Sequence, residues 1–383
     1  MKSITKETNK TVCAWLFIVV YFVVCLYIHM EQILLIPGKF VPSDLPAHIV
    51  ISNEGWTIYS GIFLVIHIIY LCFSEGVAPY VVVSLFSLLD LLGVLVTAYF
   101  FKYIDKQDTS DFVVLVEAIA LNIVLNCAMP GVASMYLNGN MWGNITYTAM
   151  KPFAFFTFFL FTEMRMKEYC KSFSRNYIMF VIFLTITTGL KPNFTISIMP
   201  LIGISVIYDF CKKRIPFKKA LLLAMAFLPS FYIMYKQYRI LFQGQGAGGT
   251  VFMPGYVLGL MSDYVVIMIL LSVLFPLVVT IYNIKTIHKD IFSKSVLYLW
   301  LINFGIIFLF GENGYRQNHG NFLWGSYFAT FLWFVDAYRW YWKNVLECKK
   351  DKSKKKIIMA IFLTIIFLLH LVSGIVYLVD CIV

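Results

Sequence analysis

Asp44 and His48 stand one helical turn apart in "PSDLPAHIVISNEGW" (42–56), just after the first long apolar run. Glu54 closes the same stretch, and the flanking chain is almost free of charge. If "DLPAHI" opens a short helix, with Ser43 or Asp44 as its cap and Pro46 in its first turn, the i, i+4 spacing puts both side chains on one face. Two readings follow. In one, Asp44 is an interfacial helix cap and His48 is incidental. In the other, Asp44 is a carboxylate base at the mouth of a cavity, and His48 orients it or binds substrate.

A second constellation is "GENGYRQNHGNFLWG" (311–325), which follows an apolar run. Glu312, Arg316, His319 and Asn321 supply charge and hydrogen bonds, and Tyr315 and Trp324 offer faces for stacking on sugar rings. Arg316 presents a planar fork suited to phosphate. Glycines at 311, 314 and 320 allow close backbone approach to a ligand. Lys191 sits between two short apolar runs, with Pro192 beside it. It can snorkel to the membrane interface or hold an anionic lipid head group. The loop "GVASMYLNGNMWGNITYTAMKPF" (131–153) adds Asn140 and Trp142 as candidate binding residues. Its sequon at Asn144, like that at Asn193, is a very short motif and carries little weight.

The elements that must position these groups are membrane helices. Of 383 residues, 60% are hydrophobic and 13% charged, and the mean hydropathy is +0.80. A soluble domain carries about 25% charged residues. Apolar runs near membrane length recur along the chain, continuous rather than alternating, so helices and not a barrel are expected. The fold class expected is all-α: a polytopic transmembrane bundle of about 11–13 spans in one integral membrane domain, 1–383. The spans fall near 11–33, 57–73, 80–101, 112–129, 147–163, 177–190, 194–210, 219–235, 264–284, 296–311, 322–340 and 357–379. The first is read as a retained span rather than a signal peptide, because it is long and no small-residue cleavage site follows it.

The net charge of +11 does not argue for nucleic acid, because Lys and Arg cluster in short loops. Basic stretches near 165–175, 212–219 and 285–294, with 343–356 the strongest, are consistently cytoplasmic. The opposite side then holds the segments 34–56, 130–146, 236–263 and 311–321, where the mixed polar groups lie. Counting spans forward from a cytoplasmic N-terminus contradicts counting back from 165. One segment in the first third must therefore be re-entrant, interfacial or broken, with "SEGVAP" (74–79) and Pro130-Gly131 as the expected places. The tight hairpin around Lys191 is expected inside the bundle, its tip near a cavity. Glu117, Asn122 and Asn126 can pair between helices. Eight cysteines show no metal or disulfide spacing, and motifs of soluble enzymes do not occur.

With these residues collected, the chain resembles the GT-C class of membrane glycosyltransferases. The layout carries the resemblance: an acid soon after span one ("SDLPAHI", 43–49), a short hairpin with Lys-Pro at its tip (191–192), and a late outer loop with Arg and His (316–319). It is similar in type to bacterial surface-polysaccharide proteins, which implies a bacterial plasma membrane. The resemblance implies a polyprenyl-phosphate-linked sugar donor and a glycan, lipid or protein acceptor, with membrane lipids around them. It implies that Arg316 and Lys191 neutralise phosphate and that Asp44 deprotonates the acceptor. No protein metal ligands are assigned. An isolated Asp stands where many members carry paired acids, so a divalent cation stays open and no cofactor is firm. Two other classes remain: a polymerase, ligase or flippase of lipid-linked glycans, and a secondary transporter.

Overall fold

The computed structural model describes residues 2–34, 43–53, 59–107, 109–127, 129, 131–138, 142–167, 173–242, 248–351 and 353–382. It is an all-α bundle. Its first half comprises α1 (Lys2–Leu34), α2 (Leu45–Asn53), α3 (Gly61–Cys72), α4 (Ala78–Tyr99, extended by a π turn over Phe100–Ile104), α5 (Asp111–Ile123), α6 (Ile145–Lys167), α7 (Arg175–Leu190) and α8 (Asn193–Cys211). Then follow α9 (Phe217–Met225), α10 (Leu228–Phe242), α11 (Tyr256–Met261), α12 (Val265–Tyr282), α13 (Ile284–Ile287), α14 (Ile291–Leu309), α15 (Leu323–Lys350) and α16 (Lys354–Ile382). Strands β1 (Thr250–Phe252) and β2 (Phe310–Glu312) pair antiparallel.

The twelve expected spans all overlap helices, but 112–129 is helical only to Ile123 and 219–235 is divided between α9 and α10. Seven helical stretches among the described residues are long and apolar enough to cross a membrane, which makes the chain an integral membrane protein. The long helices α6 and α15 carry more charge: Lys151, Glu163, Arg165 and Lys167 on one, Asp336, Arg339 and Lys343 on the other. Both are buried along most of their length. Polar side chains there meet protein instead of lipid, where their cost would be high.

Ion pairs and ring contacts fix the direction of the chain. Lys343 bonds Asp105 at the end of α4 at 3.0 Å. Phe292, at the start of α14, stacks on Phe100 at 4.8 Å and meets Phe158 of α6 edge-on at 5.4 Å. Arg165 of α6 pairs with Asp209 of α8 at 2.9 Å. Trp15 and Ile18 of α1 wall the same groove as Tyr99, Lys102 and Asp111. The basic stretches therefore share one end of the bundle, where α1 and α14 begin and α4, α6, α8 and α15 finish.

This arrangement resolves the parity conflict. Helix α4 ends at the basic end, so it starts at the other. Helix α3 has 12 residues. At 1.5 Å per residue it covers about 18 Å, short of a hydrocarbon core near 30 Å. It is too short to run from one end of the bundle to the other, and the chain turns back through "SEGVAP" into α4. Residues 124–127 and 131–138 form the other irregular stretch. The Leu125 N–H donates to the His370 carbonyl (3.3 Å), the Cys127 N–H to the Leu271 carbonyl (3.0 Å), and the Leu137 N–H to Ser272 Oγ (3.0 Å). Non-helical backbone at this depth persists because protein groups satisfy it. Gly374 of α16 leaves no room for a Cβ against the Ile123 carbonyl.

Candidate functional site

The segment 43–53 folds as expected into a short helix with Pro46 in its first turn, and the Asp44 carbonyl accepts its first helical N–H, from His48, at 3.0 Å, but the Asp44 side chain does not cap it. Ser43 Oγ accepts the Leu45 N–H at 3.1 Å. The Asp44 carboxylate reaches instead across 101 residues of chain to the start of α6. There Oδ1 accepts the Ile145 N–H at 3.0 Å and Oδ2 accepts the Asn144 side-chain amide. A carboxylate at a helix N-terminus satisfies an orphan donor and lies at the positive end of the dipole.

Asn144 is the pivot of the site. Its amide donates to Asp44, while its Oδ1 accepts Lys191 Nζ at 2.9 Å, Thr146 Oγ1 at 2.6 Å and the Tyr147 N–H at 2.9 Å. Lys191 Nζ also donates to Thr146 Oγ1 at 2.8 Å and lies 4.7 Å from the Trp324 ring centroid. Base and cation thus hang on opposite ends of one amide. The segment before α6 is anchored by Gln32, whose Nε2 donates to the Trp142 carbonyl at 2.9 Å. Gln32 Oε1 in turn meets His29 Nδ1, whose ring reaches Asp90 Oδ2 through Nε2, both at 2.9 Å.

The late outer loop is built by the pairing of β1 with β2, which sets Thr250 opposite Glu312. No alternating apolar pattern in the sequence marks these short strands. Gly314 and Gly320 take φ of +71° and +60°, and Gly311 packs on Met253. These glycines serve turns and strand pairing. Arg316 Nε donates to Glu312 Oε1 at 3.3 Å, and Asn321 Nδ2 donates to Glu312 Oε2. Asn193 Nδ2 donates to the Asn321 carbonyl at 2.7 Å, tying this loop to the start of α8.

These parts enclose one cavity of roughly 510 Å³ at the end of the bundle opposite the basic stretches. Asp44, His48, Lys191, Glu312, Arg316, His319 and Asn321 all line it. Trp324 lies beneath Lys191. Trp142 is corrected: its ring packs 6.0 Å from Tyr377 in a separate apolar cluster, buried away from the cavity. Glu54, Asn140 and the Tyr315 side chain lie outside the described residues. The orienting role expected of His48 is also corrected. Its Nδ1 is 3.5 Å from Asp44 Oδ1, too long to hold the carboxylate, and its ring packs edge-on to Phe63 at 4.5 Å. Asn144 and the Ile145 N–H do the orienting. The sequence signal for Asn144 was its place just before a helix, the position of an N-cap.

Three helix N-termini meet at this cavity: Asn144 and Thr146 at α6, Pro192 and Asn193 at α8, Asn321 and Phe322 at α15. Asp44 occupies the first. No side chain caps the other two. Burial pushes the Asp44 carboxyl above the usual carboxylate range, against the Ile145 N–H and Lys191, which pull it down. Burial pushes the Lys191 ammonium below the usual lysine range; Asp44 opposes this and Arg316 adds to it. His48 is pushed down to about 3 by burial and then by Lys191, so its ring is neutral.

Among the described residues no group of three His, Cys, Asp or Glu gathers as a metal site. The surroundings of Asp44 do not fit a divalent cation either, because N–H donors point at both oxygens and an ammonium stands beyond Asn144. The chemistry on offer is a carboxylate base beside an anion pocket. No family model, no curated protein and no solved structure matches the chain.

Proposed function

We propose that the chain is a GT-C-like glycosyltransferase of a bacterial plasma membrane. It moves a sugar from a polyprenyl-phosphate donor to a glycan, lipid or protein acceptor on the non-cytoplasmic face. One observation carries this reading: Asp44, from the first outer segment, shares a cavity with Lys191, Arg316 and two uncapped helix N-termini. A carboxylate next to a pocket for an anion is what transfer from a phosphate leaving group requires.

The donor phosphate sits against Lys191 and the start of α8, with Arg316 at its rim. Asp44 takes the proton of the acceptor hydroxyl as the acceptor oxygen bonds to the anomeric carbon. The bond from that carbon to the phosphate oxygen breaks, and its electron pair leaves with the lipid phosphate. Lys191 and the helix dipoles stabilise the charge that develops there. The fixed amide of Asn144 holds base and cation in one arrangement, so little reorganisation is needed. Leu190, Ile196, Met234 and Leu241 give the cavity an apolar wall suited to the first units of a lipid tail.

The test is transfer of labelled sugar from membrane-extracted lipid donors by the purified chain in nanodiscs, together with the surface glycans of a deletion strain. Transfer that vanishes in Asp44→Asn supports the reading. A deletion strain with unchanged glycans and unchanged lipid-linked sugars would sink it.

A further inference from the structure

We infer that Glu312 is a specificity-determining residue that restricts the cavity to a ligand with a single phosphate and rejects a diphosphate. This rests on the proposed reading of the cavity as a lipid-phosphate site.

The argument is one of charge. Among the described residues, four formal charges line the cavity: Asp44 and Glu312 against Lys191 and Arg316. They cancel. What remains is the field of the helix N-termini, each equivalent to about half a positive charge. With the four side chains already cancelling, the starts of α6, α8 and α15 together leave about one and a half positive charges, enough for one negative charge and short of two. A sugar phosphodiester carries one negative charge at neutral pH; a sugar diphosphate diester carries two.

Glu312 decides this balance. It is 8% exposed and stands on β2, held in register by Thr250 opposite. Its two oxygens take Arg316 and Asn321. The strongest phosphate-binding side chain in the loop is therefore already engaged by a carboxylate that the fold holds in place. Lys191 differs: its recorded partners are neutral oxygens and a ring, and among the described residues no carboxylate comes within ion-pair distance of it. One cation is open to a phosphate and the other is shared. A second phosphate would have to displace Glu312 or stand beside it, and an unpaired buried carboxylate near a phosphate is strongly disfavoured.

The experiment uses two sugar-free probes, so that the unknown sugar plays no part: farnesyl methyl phosphate, with one charge, and P1-farnesyl P2-methyl diphosphate, with two. Binding to the whole chain is read by native mass spectrometry. Wild type should favour the monophosphate by about tenfold or more. Glu312→Gln, which keeps an acceptor for Asn321 but releases Arg316, should raise diphosphate affinity by about tenfold against monophosphate. Should that variant fail to fold, Arg316→Gln reads the same balance with the opposite sign and should widen the preference for monophosphate. Equal or tighter diphosphate binding by wild type overturns the inference and leaves the phosphate site standing. An unchanged ratio in the variants also overturns it. If wild type binds neither probe, the phosphate reading of the cavity falls, and this inference with it.

Discussion

Two clusters of buried charge stand at opposite ends of this bundle, and they differ in what they leave over. At the basic end, Arg339 is 6% exposed. Its Nη2 donates to Asp290 at 2.9 Å and to Ser293 at 2.8 Å, and pairs with Asp336 at 3.0 Å. Asp105 is bonded by Lys343 at 3.0 Å. Three carboxylates there share two cations, and these pairs tie α4, α14 and α15 together. At the opposite end the formal charges cancel, and base and cation are joined through a neutral amide. Two uncapped helix N-termini and a cavity of roughly 510 Å³ remain. The pair lie about 25 Å apart along α15. Buried charge alone therefore does not mark a site. Charge held apart, with unspent field and room for a ligand, does.

The largest expected effect breaks the outer cluster. Asp44→Asn keeps an oxygen for the Ile145 N–H but removes the base, so transfer should fall by about 10²–10⁴ while the melting temperature holds. Transfer assays and thermal unfolding on the same preparation check both halves. Normal transfer would reduce Asp44 to a cap for α6.

At the basic end the sign reverses. Arg339→Met leaves Asp290 and Asp336 without their cation and should destabilise the bundle by about 3–5 kcal/mol, read as a large drop in melting temperature. Lys191→Met should lose donor binding with a much smaller drop, because no carboxylate is left without its only partner. Equal drops would erase the distinction between lock and site.

The pH profile sharpens the comparison. Asp44 must be ionised to act, and burial raises its pKa. The acid limb of transfer should therefore lie above the pH of about 4 expected for a free carboxylate. Lys191 must be charged, and burial lowers its pKa. The alkaline limb should therefore lie below the pH of about 10.4 expected for a free lysine. Lys191→Arg should push the alkaline limb upward, since a guanidinium does not lose its proton in this range.

Two smaller effects follow. Arg316→Lys keeps the charge but not the fork, and Glu312 still holds it, so donor use should fall by less than about tenfold. Impermeant thiol labelling should reach Asn318→Cys and not Asp351→Cys in a Cys-free background, because the basic end is expected in the cytoplasm. The reverse pattern would move the cavity to the cytoplasmic face.

Most of the helix positions were legible in the sequence, because a span needs a long apolar run and the basic loops between spans repeat one sign. The cavity residues Asp44, Lys191, Glu312 and Arg316 were legible for a related reason. Polar groups beside membrane segments are expensive, so their presence is informative. The half-length of α3 was legible only as a parity conflict. Sequence counting shows that one segment does not cross but cannot say which.

What the chain alone determined, then, is a membrane bundle with polar groups gathered at one end. Only the tertiary structure decided how those groups are wired. The Asp44 side chain caps α6 instead of its own helix, Asn144 takes the place expected of His48, Trp142 leaves the site, and Glu312 engages Arg316. Each of these is a pairing between segments far apart in sequence. Local spacing fixes which face of a helix a side chain occupies, but which distant partner meets that face depends on how whole helices pack.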